Sequence, residues 1–456
     1  MGKVYGVSRW NTNCSDVADS IDANIYGSHP VYFHHKYTNG SRGRNHSTHA
    51  VYLRNTNGMD ILMRDSYLQY RVIGGIFDLY FYTGPSPQDV VQQYVTSIGL
   101  PTMHQYWTLG FHQCRWGYHN ISYLEDVVQG YRDANVPLET IWTDIDCKIL
   151  GVFVNLDMYE YRDWTLDPIS FTPANFSKFL QAIHANNQHW IPIHDAAIYH
   201  PNPNNASDAE DYFTAGDEQK VWLLNPDNST YIGDVWPGYT VFPDWLANNT
   251  QSWWTEGFRN FSMIADFDGI WLDMNEASSF CVGSCGTGNV TQNPVHPPFP
   301  LNGEPGEVIY DYPEGFNLTN ATEAASASAG SASQVAATST PSSLSISTTM
   351  AATPTPTIDP TIENINYPPY AINHQQGNHD LAVHAVSPNA THHDGTLEYN
   401  IHNIWGYRES VATYNALIDH HPGIRPFIIA RSTFPGSGAV SGHWGGKQFL
   451  VRSDLR

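Results

Sequence analysis

The sequence predicts an α/β protein with a parallel sheet, entered through a separate antiparallel β region, and three observations carry that expectation. Residues 1–83 hold short β-type runs, such as Val31-Tyr-Phe, Ala50-Val-Tyr-Leu and Phe77-Asp-Leu-Tyr-Phe-Tyr, broken by Asn-Gly turns at Asn39 and Asn57. After Gly84-Pro-Ser-Pro, β-runs alternate with helix-like stretches, at Tyr106 to Cys114, Thr140 to Asp146, Trp190 to Ile198, Gly269 to Glu276 and Pro426 to Ser432. Strands spaced by helices are the signature of βαβ units. The length, 456 residues, allows a large core and two domains.

Residues 1–83 form the first expected unit and 84–456 the second. The second carries a loop insert over 281–395, which contains an Ala/Ser/Thr/Pro-rich stretch over 321–360. That stretch has too few apolar residues to offset the entropy of ordering it, so it is expected to be disordered. Lying between two βα repeats, it must leave and re-enter at the surface.

Charge and composition exclude several classes. A formal charge of −23 repels polyanions, so nucleic acid is not an expected partner. No run approaches the 18 or so apolar residues of a bilayer span. Aromatics make up 13% of the chain, side chains suited to stacking on sugars as well as to filling a core. The first ten residues contain no apolar signal-peptide region, yet thirteen Asn-X-Ser/Thr acceptors occur between Asn13 and Asn389. The acceptors favour a secreted, N-glycosylated protein. Cys281 and Cys285, four apart around a glycine, suggest a local disulfide, with too few neighbouring Cys or His residues for zinc. Histidines adjacent in sequence, His34-His35 and His392-His393, lack the spacing or carboxylate company of a metal site, so neither metal nor cofactor is expected.

Side-chain alternation then singles out two strands. In Gly269-Ile-Trp-Leu-Asp-Met-Asn-Glu276, Trp271, Asp273 and Asn275 fall on one face and Ile270, Leu272 and Met274 on the other. Thr140-Ile-Trp-Thr-Asp-Ile-Asp146 repeats the pattern with Trp142, Asp144 and Asp146. A row of aromatic and carboxylate groups facing inward makes sense at the solvated C-terminal end of barrel strands, where catalytic groups sit. Each aspartate also suits the cap of the helix that follows it.

Trp271-Leu-Asp-Met-Asn-Glu276 followed by Phe280-Cys-Val-Gly-Ser-Cys285 closely resembles the signature of family 31 glycoside hydrolases, in particular the maltase, acid α-glucosidase and sucrase-isomaltase group. The resemblance extends through Asn24-Ile-Tyr-Gly-Ser-His-Pro30, Tyr106 to Tyr118, Trp142-Thr-Asp-Ile-Asp146, Val235-Trp-Pro-Gly238, Phe242-Pro-Asp-Trp245 and Arg431-Ser-Thr-Phe-Pro-Gly-Ser-Gly438. It implies an incomplete (β/α)8 TIM barrel preceded by the remnant of a β-sandwich, no metal, and a retaining reaction that releases glucose from non-reducing ends of α-glucoside oligosaccharides. It also implies that Asp273 is the nucleophile and Glu276 a supporting group. Asp144, Ile145, Ile193, Trp236, Trp271, Met274, Arg431, His443 and Trp444 then line the glucose subsite.

The chain departs from that family at the acid/base. The family continues His-Trp-X-Gly-Asp-Asn, whereas this sequence reads His443-Trp-Gly-Gly-Lys-Gln448 and ends at Arg456, which puts Lys447 at the acid/base position. With an ordinary pKa of about 10.4, a lysine is a poor substitute for a carboxyl group that must give and retake a proton. An apolar stretch from Cys147 to Leu156 also interrupts a matched block. These interruptions suggest a truncated chain or translated intron sequence, and impaired activity. The alternative expectation is a non-catalytic carbohydrate-binding relative.

Overall fold

The computed structural model describes residues 5–8, 26–40, 43–63, 67–115, 117–118, 120–145, 158–202, 205–280, 283–284, 365, 372 and 381–444. Asp146, the stretch from Cys147 to Leu156, Cys281, Cys285, the Ala/Ser/Thr/Pro-rich stretch and Lys447 lie outside the described residues.

Strands β1 (Tyr5–Ser8), β2 (Val31–Gly40), β3 (Gly43–Leu53), β4 (Met59–Met63), β5 (Leu68–Val72) and β6 (Leu79–Tyr82) make two three-stranded antiparallel sheets, ordered β1-β4-β5 and β2-β3-β6. Helix α1 (Pro87–Ile98) follows. Its start is written in the sequence as Ser86-Pro-Gln-Asp89: the Ser86 Oγ accepts from the Asp89 N–H and the Asp89 carboxylate accepts from the Ser86 N–H, both at 3.1 Å. Pro87 occupies the first turn, where its missing N–H costs nothing.

Parallel strands then alternate with helices as expected: β7 (His112–Gln113), α2 (Ile121–Asp133), β8 (Thr140–Trp142), α3 (Pro173–His184), β9 (His189–Ile191) and β10 (Ile193–Asp195). A three-stranded antiparallel excursion follows, with β11 (Ile198–Tyr199), β12 (Ile232–Val235) and β13 (Gly238–Val241); α4 (Asp211–Gln219) lies between β11 and β12. The chain continues through α5 (Thr250–Ser262), β14 (Ile270–Asp273), α6 (Glu398–Ile401), α7 (Trp405–His420), β15 (Ile428–Ala430) and β16 (Gly442–His443). The parallel orders are β7-β8-β9 and β10-β14-β15-β16. This arrangement is consistent with a barrel wall.

Each of the five expected β-runs contains a strand, with three differences. Tyr106–Leu109 is a 3-10 turn, so only His112–Gln113 of the first run pairs. Pro192 divides the third run because it has no N–H for the ladder, although its carbonyl still accepts from Trp271 N at 3.0 Å. On β14 the strand stops at Asp273: Met274 has φ 53°, so alternation does not continue through Asn275. Up to that point the faces sort as expected. Ile270 and Leu272 pack with Leu124, Phe176, Trp254 and Phe258 of the helix layer, while Trp271 packs with Trp142, Ile193 and Phe427 on the inner side.

His194, on the helix-layer side of β10, is an exception to apolar filling. Its ring lies among Trp164, Phe258 and Phe261, burial pushes its pKa down to about 3, and neither ring nitrogen meets a hydrogen-bond partner among the described residues. A buried polar group left unpaired costs about 1–3 kcal/mol. His194→Leu is therefore expected to be neutral or to stabilise by up to about 1 kcal/mol, read as a raised urea midpoint.

His392, next to His393, does have carboxylate company once folded. Its Nδ1 meets Asp244 at 2.5 Å and its Nε2 meets Glu398 at 2.9 Å, while the second Glu398 oxygen meets His402 Nδ1 at 2.9 Å, all with side chains fully buried. Burial opposes the charge on His392, but the bonds to Asp244 and Glu398 outweigh it and push its pKa up to about 9. Burial likewise opposes the Glu398 charge, and its two histidine bonds pull that pKa down to about 2. A raised folded-state histidine contributes stability that is fully present below its unfolded value of about 6.5 and lost as pH rises through about 9. The unfolding free energy is thus expected to fall by roughly 3 kcal/mol across that window, and His392→Gln should flatten the fall in a series of urea titrations.

Candidate functional site

Arg431 is the hub that gathers the strand-end residues. Its backbone N–H bonds the Leu272 carbonyl at 3.0 Å, which seats the residue at the top of β15 beside the last turn of β14. From there the guanidinium holds Glu276 at both oxygens, with Nε to Oε1 at 2.7 Å and Nη2 to Oε2 at 2.9 Å, and donates through Nη1 to Asp273 Oδ2 at 3.2 Å. Nη2 also meets the Met274 sulfur at 3.0 Å. Asp273 is 7% exposed, Arg431 4% and Glu276 0%, so these are charge-assisted bonds in a dry setting. Burial opposes the Arg431 charge, but Asp273 and Glu276 outweigh it and raise its pKa further above the ordinary arginine range. Ser278 Oγ completes the Glu276 shell by donating at 2.6 Å.

The left-handed turn at Met274 explains this convergence. It carries the chain back, so that Met274, Glu276 and Asp273 all present side-chain atoms to one guanidinium. Asn275 turns away, and its Oδ1 accepts the Ser432 N–H at 2.7 Å, which ties the β14 and β15 exits together. Helix α7 presses against the same turn through a glycine: a Cβ on Gly406 would lie 2.3 Å from the Asn275 carbonyl oxygen.

An aromatic wall stands next to the carboxylates. Trp271 meets Trp142 at 5.5 Å and the edge of Trp444 at 5.0 Å, and Ile145, Ile193 and Trp236 belong to the same apolar cluster. Trp236 in turn stacks with Tyr161 at 6.2 Å and meets Phe280 edge-on at 5.5 Å. Asp144 is half-buried just beyond β8. His443 is exposed, with Nδ1 3.3 Å from the Ala430 carbonyl and 3.4 Å from Thr433 Oγ1. The structure thus brings Asp273, Met274, Glu276 and Arg431 into one polar cluster, and Ile145, Ile193, Trp236, Trp271 and Trp444 into one apolar wall.

Three groups at this site had no role in the sequence reading. Tyr26 lies face-on to the Arg431 guanidinium at 4.3 Å and stacks beside Trp444 at 6.4 Å. It is brought there by the Ser28 N–H to Thr433 carbonyl bond of 3.0 Å and by Gly27, whose absent Cβ would sit 2.7 Å from the Thr433 oxygen. Asp195 ends β10 directly opposite Asp273 on β14, and its N–H donates to Asp163 Oδ1 at 2.9 Å. Strand-end carboxylates were the signal used for Asp144 and Asp273, and the same signal finds Asp195. Glu409, on α7, is fully buried near Asp195, Glu276 and Asp273; burial first, then those three carboxylates, raise its pKa well above the ordinary range, as burial and Asp195 do for Asp163. Burial and the neighbouring carboxylates thus bias Asp163 and Glu409 towards their protonated forms, against a hydrogen bond from Asn275 to Glu409, while Arg431 pairs with Asp273 and Glu276.

Residues 101–454 match the glycosyl hydrolases family 31 TIM-barrel domain. The chain is 53% identical over 441 residues to glucoamylase 1 of Candida albicans, covering 95% of this chain and 44% of that protein. It is 48% identical over 458 residues to an alpha-glucosidase of Aspergillus oryzae, again with 95% and 44% coverage. The chain thus spans less than half the length of these relatives. Among solved structures, the glucosidase II alpha subunit in its DNJ-bound form superposes with a TM-score of 0.64 at 18% identity, over 98% of this chain and 39% of that one. The family 31 alpha-glucosidase of Bacteroides thetaiotaomicron gives 0.59 at 19% identity, over 98% and 53%.

Proposed function

The chain belongs to glycosyl hydrolase family 31, and from that membership we propose that it carries the nucleophile-bearing part of a retaining, exo-acting α-glucosidase that removes terminal non-reducing α-linked glucose from maltose-type oligosaccharides. The observation that carries the reading is Asp273 at the end of β14, one oxygen fixed by Arg431 and the Trp271, Trp142 and Trp444 wall beside it. In this reading the Asp273 carboxylate attacks the anomeric carbon, the glycosidic C–O bond breaks, and the departing oxygen takes a proton. Water then cleaves the glucosyl ester, returning the carboxylate and a proton. Arg431 and Glu276 hold Asp273 in line, and the tryptophans supply the apolar surface on which a sugar ring packs.

The proton donor is where this chain differs from its family. With Lys447 at that position, departure of an ordinary sugar alcohol goes unassisted by a carboxylic acid, so we infer impaired turnover of natural substrates. Fluoride departs with little need for protonation, so an α-glucosyl fluoride is expected to be consumed far faster than maltose. Consumption of neither, with glucose binding intact, would instead support the second reading that Lys447 favours, a sugar-binding relative without catalysis.

The remaining features of this reading extend the same family assignment. We take the two antiparallel sheets over 1–83 as β-sandwich and 84–456 as the first part of a (β/α)8 barrel, with 281–395 as its loop insert. Secretion and N-glycosylation are supported by the exposure of Asn120, Asn175, Asn205, Asn228 and Asn248, each at the head of an acceptor tripeptide.

A further inference from the structure

The geometry points to a divalent transition-metal site on the β2–β3 hairpin, in which His34 and His49 act together as a two-imidazole chelate. The two residues are fifteen apart in sequence but are direct partners across the antiparallel ladder, so both side chains stand on the same face of the sheet. Both are exposed, and their ring centroids are 5.0 Å apart at an interplanar angle of 48°.

That separation can be compared with what a shared ion requires. Metal–imidazole bonds are about 2.0–2.1 Å, and the ring centroid lies about 1.1 Å behind the ligating nitrogen, so each centroid stands about 3.2 Å from the ion. Two rings in adjacent positions of a tetrahedral or octahedral ion, about 90–110° apart, then have centroids about 4.5–5.2 Å apart. The His34–His49 distance falls inside that range.

The opposite face of the same hairpin provides a contrast. His35 and His46 are also exposed, but their centroids are 6.0 Å apart, which would need an angle near 140°, and His35 Nδ1 is already engaged with Thr48 Oγ1 at 2.7 Å. The first pair suits chelation and the second does not.

Neutral imidazoles select borderline ions rather than Ca²⁺ or Mg²⁺, which prefer oxygen ligands, and affinity should follow Cu²⁺ over Ni²⁺ over Co²⁺. Water completes the coordination sphere, so the site is an open, exchangeable one rather than a closed structural centre. Lys36 lies two residues along on the same face, opposite Ser47, and its long exposed stem lets the ammonium turn into solvent.

The test is isothermal titration of the chain with CuCl₂ and with NiCl₂ at neutral pH. The parent would be compared with His34→Gln, His49→Gln, His35→Gln and His46→Gln, all exposed positions where the fold tolerates the change. One binding equivalent is expected to weaken by about tenfold or more in either His34→Gln or His49→Gln, because each removes half of the chelate, and to persist in the other two. Copper EPR should show two equatorial nitrogens falling to one in the same two variants. Isotherms for His34→Gln and His49→Gln that match the parent would overturn the inference, as would equal weakening in all four variants.

Discussion

Asp273→Asn is expected to lower the rate at which the chain is glucosylated by an α-glucosyl fluoride by about ten-thousandfold, the scale on which a covalent nucleophile is worth its place. The reason lies in which atom reacts. Asparagine keeps the shape of the side chain and can still face Arg431, but its amide oxygen cannot form the ester. The stability cost is expected to be about 1–2 kcal/mol, the loss of one charge-assisted bond, because Arg431 keeps its two contacts with Glu276. A large kinetic loss with a small shift in the urea midpoint is therefore the expected combination. A large loss of stability would instead mark Asp273 as chiefly structural.

Arg431→Ala is expected to give the opposite balance, with unfolding free energy reduced by about 3–5 kcal/mol, as measured by urea denaturation. The guanidinium is the group that offsets two carboxylates, Asp273 and Glu276, which are 7% and 0% exposed. Removing it leaves two buried carboxylates without the cation that balances their charge. Arg431→Lys should recover only part of the loss, since one ammonium cannot reproduce the fork that meets both Glu276 oxygens and Asp273 together. The damage should also reach the amino-terminal segment, because Tyr26 lies on the guanidinium face.

What was legible in the sequence was local. Alternating apolar and polar residues located the strands and gave Trp271 its inward face. The family signature singled out Asp273, Glu276 and Arg431, which the structure then joins through one guanidinium. Other features depended on contacts distant in sequence. Nothing in Trp271-Leu-Asp-Met-Asn-Glu276 requires the left-handed turn at Met274, which arises where β14 must return towards β15. Tyr26 meets a residue on the far side of the chain sequence, and Glu409 sits in the middle of a helix whose neighbours reveal nothing of the carboxylates beneath it. His392 and His34 show the same limit: their partners, Glu398 with Asp244 and His49, become visible only once the strands and loops are in register.

Whether Asp273 is the nucleophile is read from peptide mapping of the chain after incubation with an α-glucosyl fluoride and an acid quench. One added glucosyl unit is expected on the peptide containing Trp271-Leu-Asp-Met, localised to Asp273, and absent from Asp273→Asn. A glucosyl unit on another carboxylate such as Asp195 or Asp144, or release of glucose unchanged in Asp273→Asn, would contradict it.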